Sequence, residues 1–373
     1  MPSTTTSSRR LSTQPTSTPE RPDDKRFTYG IAASYIGKDR PYDPATHVFH
    51  FNPYNRVQPP RKRSKRARPD SGQDAFFVTR INDTGGVALG VADGVGGWMD
   101  SGVDPADFSH GFCDYMAAAA YEHSPGDGPK SSVLTAKSLM HTGYEAICAD
   151  ESVPAGGSTA IVGLLDPSGT LEVANLGDSG YIHLRLNAVH GCSEPQTHAF
   201  NTPFQLSVIP PSILRRMQAF GGSQLADLPR DADVSRHSLR HGDVLVFASD
   251  GVWDNLFNQD ILRIVSAAMQ GCGAWINGEA GGIRVRPDLS LYTQPSDGDG
   301  KGVGSLQSLI ATQVTGAAKA ASVNTKLDGP FAKEVKRHYP GESWHGGKVD
   351  DICVVAVVVS ETKSDDGPVK AKL

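Results

Sequence analysis

Gly90-Val91-Ala92-Asp93-Gly94-Val95-Gly96-Gly97 joins an apolar, strand-like run to a carboxylate and then to a glycine-rich turn. The pattern returns at Phe247-Ala248-Ser249-Asp250-Gly251-Val252 and at Asn175-Leu176-Gly177-Asp178-Ser179-Gly180. It returns again at Gly346-Gly347-Lys348-Val349-Asp350-Asp351, before the last apolar run, and at Ser71-Gly72-Gln73-Asp74, before Ala75-Phe76-Phe77. An Asp at a strand end has a rigid backbone while its head stays in water. A neighbouring Gly lets the main chain approach a ligand closely and expose its carbonyl. Hard oxygen donors of this kind suit Mg²⁺ or Mn²⁺, and crowded carboxylates call for divalent cations to offset their repulsion. Asp-Gly also marks ordinary turns, so one copy carries little; five copies around apolar strands point to a metal cleft.

Outward from these points the chain reads as mixed structure. Residues 75–80, 86–93, 159–165, 170–175, 179–186 and 243–249 read as strands, and 352–360 as a strand buried on both faces. Asp166-Pro167-Ser168-Gly169 reads as a hairpin turn. Residues 108–122, 131–149, 255–270 and 305–326 read as helices, whereas 271–304, with nine glycines and no steady period, reads as a loop insertion. Strands and helices come in runs, which favours an α+β layered body over a doubly wound sheet.

The chain has 373 residues, 38% of them hydrophobic, enough for a sizeable core. No apolar run is long enough for a membrane span. Five widely spaced cysteines without a CxxC pair support neither a disulfide framework nor a cysteine zinc site. Charge is uneven: residues 1–70 hold 14 Lys and Arg against 6 Asp and Glu, and the rest of the chain is acidic. An acidic body argues against a nucleic-acid enzyme. Residues 1–19 contain no acid, eleven Ser or Thr and Arg9-Arg10, a composition shared by transit peptides and disordered tails. The basic cluster Arg61-Lys62-Arg63-Ser64-Lys65-Arg66-Ala67-Arg68 is expected to be a solvated loop, with a nuclear signal or an anion-binding strip as alternatives. The twelve histidines show no HxH or HExxH spacing, so surface or core roles are expected. Trp98 and Trp253 are expected to pack as core beneath the acidic motifs.

In their order, these motifs resemble those of the metal-dependent type 2C protein phosphatase family, and most of all its mitochondrial branch in fungi. The resemblance covers about 27–360. It rests on 90–98 followed by Gly102-Val103-Asp104-Pro105 and Phe108-Ser109, on Gly157-Ser158-Thr159-Ala160, on 175–180, on Phe200-Asn201-Thr202-Pro203-Phe204-Gln205-Leu206-Ser207, on 249–255 and on 346–352. It implies a four-layer sandwich of two antiparallel β-sheets flanked by helices, with a phosphatase domain over 27–361 between a leader (1–26) and a tail (362–373). It implies two Mn²⁺ or Mg²⁺ ions and a possible third. Asp93 matches the bridging carboxylate, the Gly94 carbonyl a ligand of one ion, and Asp250 and Asp350 ligands of the other. Asp74 matches a residue that holds metal-bound water. Asp178 and Asp254 match third-metal or outer acids, and Asp351 stands where relatives have Asn. A water shared by both ions would be deprotonated near neutral pH and attack phosphorus in line. The implied substrates are phosphoserine and phosphothreonine proteins, the implied state a monomer without a membrane segment, and the implied place the mitochondrial matrix, with cytoplasm or nucleus as alternatives.

Three positions depart from the family pattern. Gln73 stands where an acid is usual, which removes one negative charge. Val95 stands where many relatives carry a His that acts as general acid, although this branch shares the Val. The phosphate-binding Arg has no firm counterpart, with Arg66 and Arg68 as candidates. Gln73 and Val95 leave room for a second reading, a catalytically dead relative that binds phosphoproteins as a regulator, and a small-molecule phosphatase is a third. The segment 200–207 is a flap beside the cleft in the family, with a substrate-reading or a packing role.

Overall fold

A computed structural model of the chain describes residues 26–124, 133–211, 215, 227–278, 281–294 and 304–362. The leader expected over 1–26 and the tail expected over 362–373 lie outside the described residues, apart from Arg26 and Thr362, which fall on strands. The chain enters on β1 (Arg26–Ile36) and β2 (Val48–His50), then forms the hairpin β3 (Asp74–Arg80) and β4 (Val87–Asp93). Helices α1 (Pro105–Glu122) and α2 (Ala136–Cys148) follow, then β5 (Ala160–Asp166), β6 (Thr170–Leu176), β7 (Gly180–Arg185) and β8 (Ala188–Cys192). Strands β9 (Asp233–Ser238) and β10 (Val244–Ala248) precede α3 (Asn258–Gly271), α4 (Leu306–Ser322) and α5 (Pro330–His338), and β11 (Ile352–Thr362) closes the fold.

The strands form two antiparallel sheets, ordered β2-β1-β11-β10-β7-β8 and β9-β6-β5-β4-β3. Alternation along each strand decides what each face covers. On β11, Val355, Val357 and Val359 join Leu245, Phe247, Leu89, Val91 and Ile161 in the layer between the sheets. Val354, Ala356 and Val358 face the other way, onto Ile261, Val265, Ile310 and Val314 of α3 and α4. The second sheet turns Ala88, Ala92 and Val162 onto Phe108, Phe112, Leu139 and Met140 of α1 and α2. The result is the expected α+β arrangement of four layers, helices outside and sheets inside, with β11 buried on both faces. No helix among the described residues is long and apolar enough to cross a membrane.

Several boundaries differ from the sequence reading. Helix α1 begins at Pro105 because Asp104 caps it, accepting from Ala106 N at 3.1 Å. Helix α2 begins only at Ala136, where Thr135 and Ser138 form a reciprocal capping box. The helix expected over 255–270 starts later, at Asn258, and a separate single turn, Asp250–Trp253, precedes it. The stretch read as a loop insertion contains a hairpin, Trp275–Asn277 with Ile283–Val285, anchored by Trp275, which is fully buried and donates to Gly242 O. Helix α5 was not anticipated at all.

The basic run 61–68 is a solvated segment in part, with Arg61, Lys65 and Arg66 exposed, but it is also pinned by ion pairs. It straps across α1 and α2, pairing Lys62 with Asp150 (2.8 Å), Arg63 with Asp114 (3.4 Å), Lys65 with Asp107 (2.9 Å) and Arg68 with Asp107 (2.9 Å). A second charged cluster is centred on two fully buried groups, His183 and Asp243. Asp243, fully buried, accepts from His183 Nε2 at 2.8 Å and from Arg185 at 2.7 Å. Burial alone would raise its pKa, but the Arg185 and His183 hydrogen bonds outweigh burial and lower it. Asp243→Asn strands these partners and should cost about 3–5 kcal/mol, read as a lowered midpoint in urea unfolding; an unchanged midpoint would show the cluster to be neutral for stability.

Candidate metal and catalytic site

The β3–β4 register sets Asp74 directly opposite Asp93 at one end of the second sheet. Asp93 is held from both sides. Its N–H donates to Thr159 Oγ1 at 3.2 Å, Thr159 N donates back to its carbonyl at 2.9 Å, and Thr159 Oγ1 meets Ser179 Oγ at 2.7 Å. The Gly157-Ser158-Thr159-Ala160 motif therefore positions the first carboxylate. Gly94 N donates to Gln73 O at 3.1 Å, and a Cβ on Gly94 would lie 2.8 Å from that oxygen and 3.0 Å from Pro105, so glycine is required.

The first sheet delivers its acids at the same end. Asp250 opens the turn after β10, and Asp350 precedes β11. Ser249 stitches the two sheets together: its hydroxyl donates to Asp74 Oδ2 at 2.6 Å and accepts from Cys353 N at 3.0 Å. Asp351 is buried and taken up by main-chain donors. It accepts from Lys38 N at 2.7 Å and Gln73 N at 2.8 Å, tying the end of β1 to the loop before β3, so its role is structural.

Burial and mutual repulsion shift these groups strongly. Burial raises Asp93 well above the ordinary carboxylate range, and the charges of Asp250, Asp74 and Asp350 raise it further. Asp74 is raised well above that range by burial, then by Asp351, Asp250 and Asp350. Burial, then Asp250, pushes Asp178 up to about 7. Asp254 and Asp350 are raised by burial and by Asp250. Asp250 alone of the group is lowered: burial opposes this, but the Lys348 ammonium outweighs it. Lys348 Nζ lies 2.7 Å from Asp250, 2.7 Å from Asp254 and 3.1 Å from Asp350.

Among the described residues no three His, Cys, Asp or Glu side chains are arranged to grip an ion as they stand; Asp250, Asp254 and Asp350 enclose an ammonium instead. The donor set nevertheless fits a hard divalent cation. It is made of carboxylate oxygens, Asp178 Oδ1 is buried without a partner, and a cation already stands among the acids. A cavity of about 580 Å³ is lined by Leu256, Phe257, Ile264 and Ala317 and by none of these acids.

The remaining expectations divide. Gln73 reaches toward the Gly94–Gly97 turn, its side-chain amide donating to Met99 Sδ at 3.0 Å. Neither candidate Arg reaches the acids: Arg68 is nearly buried against Asp107, and Arg66 is exposed on the turn at Lys65–Ala67. Trp253 packs on the core and donates to Ala248 O at 2.9 Å. Trp98 is only partly buried and donates to Gln205 Oε1 at 3.1 Å, so it braces the flap and is not core. Lys348 and Ser249 were read only as letters within motifs. No periodicity marks them, because their roles arise where distant strand ends converge.

No protein-family model matches the chain. The solved structure of the photosystem II phosphatase PBCP superposes with a TM-score of 0.57 at 23% identity, covering 89% of this chain and 98% of that one. Two stacked antiparallel sheets between helices are thus the architecture of a known phosphatase. Protein phosphatase 2C homolog 7, mitochondrial, of Saccharomyces cerevisiae is 32% identical over 336 residues, 89% of this chain and 83% of that protein. Protein phosphatase PTC7 homolog fig of Drosophila ananassae is 32% identical over 339 residues, 88% of this chain and 86% of that protein. The chain belongs to the type 2C family of protein serine/threonine phosphatases.

Proposed function

We propose that this protein hydrolyses phosphoserine and phosphothreonine in mitochondrial proteins, as a monomer, with Mn²⁺ or Mg²⁺ held by the aspartate cleft. The observation that carries this reading is the convergence of Asp74, Asp93, Asp250 and Asp350 from the ends of both sheets into one mutually repelling cluster. Asp93 and the Gly94 carbonyl, with Asp74 behind them, would hold one ion; Asp250 and Asp350 would hold the other, with Asp93 shared. Bound there, the ions would supply an ionised water nucleophile and offset charge on the phosphoryl oxygens. The chain itself keeps Asp93 in register through Thr159, keeps Asp74 aimed through Ser249, and leaves Gly96 and Gly97 exposed beside the cleft for a protein substrate to approach. Val95 carries no transferable proton, so the leaving oxygen takes its proton from elsewhere. The mitochondrial assignment is supported by the yeast relative's name and by the acid-poor, Ser- and Arg-rich residues 1–19.

The test is turnover of a phosphothreonine peptide beside a phosphotyrosine peptide and small phosphomonoesters. Release from the phosphothreonine peptide alone is expected. Release only from metabolites would favour the small-molecule reading, and tight peptide binding without release would favour the regulator.

The raised carboxylates give a further expectation. The folded, metal-free chain holds protons at Asp74, Asp93 and Asp178 more tightly than the unfolded chain does. The stability these groups contribute is present at low pH and is lost as pH rises through their folded values. Asp250, which is lowered, acts below that window. In chelator these groups should therefore destabilise the protein as pH climbs from about 4 toward neutrality. The gain in Tm from saturating Mn²⁺ should grow over the same range, because metal competes with protons for the same oxygens. A gain that shrinks as pH rises would contradict the site.

A further inference from the structure

Lys348 is a single cation set among several acids, and nothing in the family reading gives it a role. Its side chain is 16% exposed, and its ammonium bridges Asp250, Asp254 and Asp350 within 3.1 Å. Its backbone cannot drift. Asn255 Oδ1 accepts from Lys348 N, and Asn255 Nδ2 donates to Lys348 O, both at 2.9 Å. The preceding Gly347 is wedged so tightly that a Cβ would lie 2.1 Å from Ala321 O. Only the side chain can move, and the Phe331 ring, with its centroid 5.2 Å from Nζ in this same pose, already faces the ammonium by cation–π attraction.

We propose that Lys348 is a built-in counter-cation that holds the Asp250–Asp350 side of the cleft in the metal-free protein and must be displaced before a divalent ion binds there. The inference rests on the metal reading above and deepens it. Two cations cannot share the same carboxylate oxygens at contact distance, since like charges repel steeply where water is partly excluded. Among the described residues no ammonium forms an ion pair with Asp93 or Asp74, so that side fills first. The Asp250–Asp350 side fills second and more weakly. Lys348 thereby sets the ion concentration at which the site is complete, and it keeps the acids from forcing the strand ends apart when metal is scarce. By linkage, whatever ion binding costs in displacing Lys348, removing Lys348 returns as affinity.

The test measures Mn²⁺ binding to the purified full chain by calorimetry, for wild type, Lys348→Met and Lys348→Arg. Wild type should bind with one tighter and one weaker step. Lys348→Met should tighten the weaker step by roughly 10-fold or more, while its metal-free Tm falls because three acids lose their partner. Lys348→Arg, which keeps the charge, should retain a weak second step. A lysine that merely supports the fold would lower Tm and weaken both steps together, and that result, or unchanged binding in Lys348→Met, overturns the proposal. Wild type that binds no Mn²⁺ overturns the metal reading itself and this inference with it. A second measurement needs no variant: amine acetylation of Lys348, read by mass spectrometry, should rise when Mn²⁺ is added to wild type, and an unchanged rate overturns the displacement.

Discussion

Asp93→Asn lowers phosphothreonine-peptide turnover by about 10³-fold or more, a loss of some 4 kcal/mol of barrier stabilisation, and does so without unfolding the protein. Asp93 stands opposite Asp74 in the β3–β4 register and feels Asp250 and Asp350 from the other sheet, so it is the acid common to both sides of the cleft. The amide keeps the shape and the backbone contacts to Thr159 but removes the charge. In chelator the variant should melt at or above the wild-type temperature, because a crowded, buried charge has been taken away from acids that repel it. Loss of activity together with unchanged or higher metal-free stability marks a group kept for function. Loss of both would assign Asp93 to the fold, and turnover within tenfold of wild type would remove it from the chemistry.

Gly251→Ala is the structural counterpart, and it acts through a single methyl group. A Cβ at Gly251 would lie 2.1 Å from Asp351 O and 3.0 Å from Ile352 Cγ1, contacts that neither backbone can relieve without moving. The turn after β10 and the approach to β11 must then separate, which pulls Asp250 away from Asp350. Destabilisation of about 1–3 kcal/mol or more is expected, together with loss of Mn²⁺-dependent turnover. Gly97→Ala, where a Cβ meets nothing within 4 Å, is the matched control and should leave stability unchanged. Equal behaviour of the two variants would mean that the β10–β11 junction tolerates the shift.

Much of this arrangement could be read before any coordinates. The strand-end aspartates were legible because each lies where an apolar run meets glycine, a local signal. The two-sided burial of β11 is legible because an unbroken run of Ile, Cys, Val and Ala over 352–359 leaves no polar face. What escaped depends on partners far away in the chain. Helix α5 pairs its Phe331 with Phe200 and Trp344, an aromatic contact no periodicity announces. The hairpin around Trp275 hid among glycines, although Trp275-Ile276 and Ile283-Arg284-Val285 were its signal. The pairing of the basic run is not legible locally because its acids, Asp107 and Asp114 on α1 and Asp150 just after α2, come later in the chain. Lys348 lies within the Gly346–Asp351 motif, but its role exists only where Asp250, Asp254 and Asp350 surround it.

The measurement that bears most directly on the account is phosphate release from a phosphothreonine peptide by chelator-stripped protein, followed as Mn²⁺ or Mg²⁺ is added back. The account predicts no turnover in EDTA, recovery that saturates with added ion, and no recovery when the same ions are added to Asp93→Asn. Turnover that persists in EDTA, or folded wild-type protein that stays inactive at saturating Mn²⁺ and Mg²⁺, would contradict it.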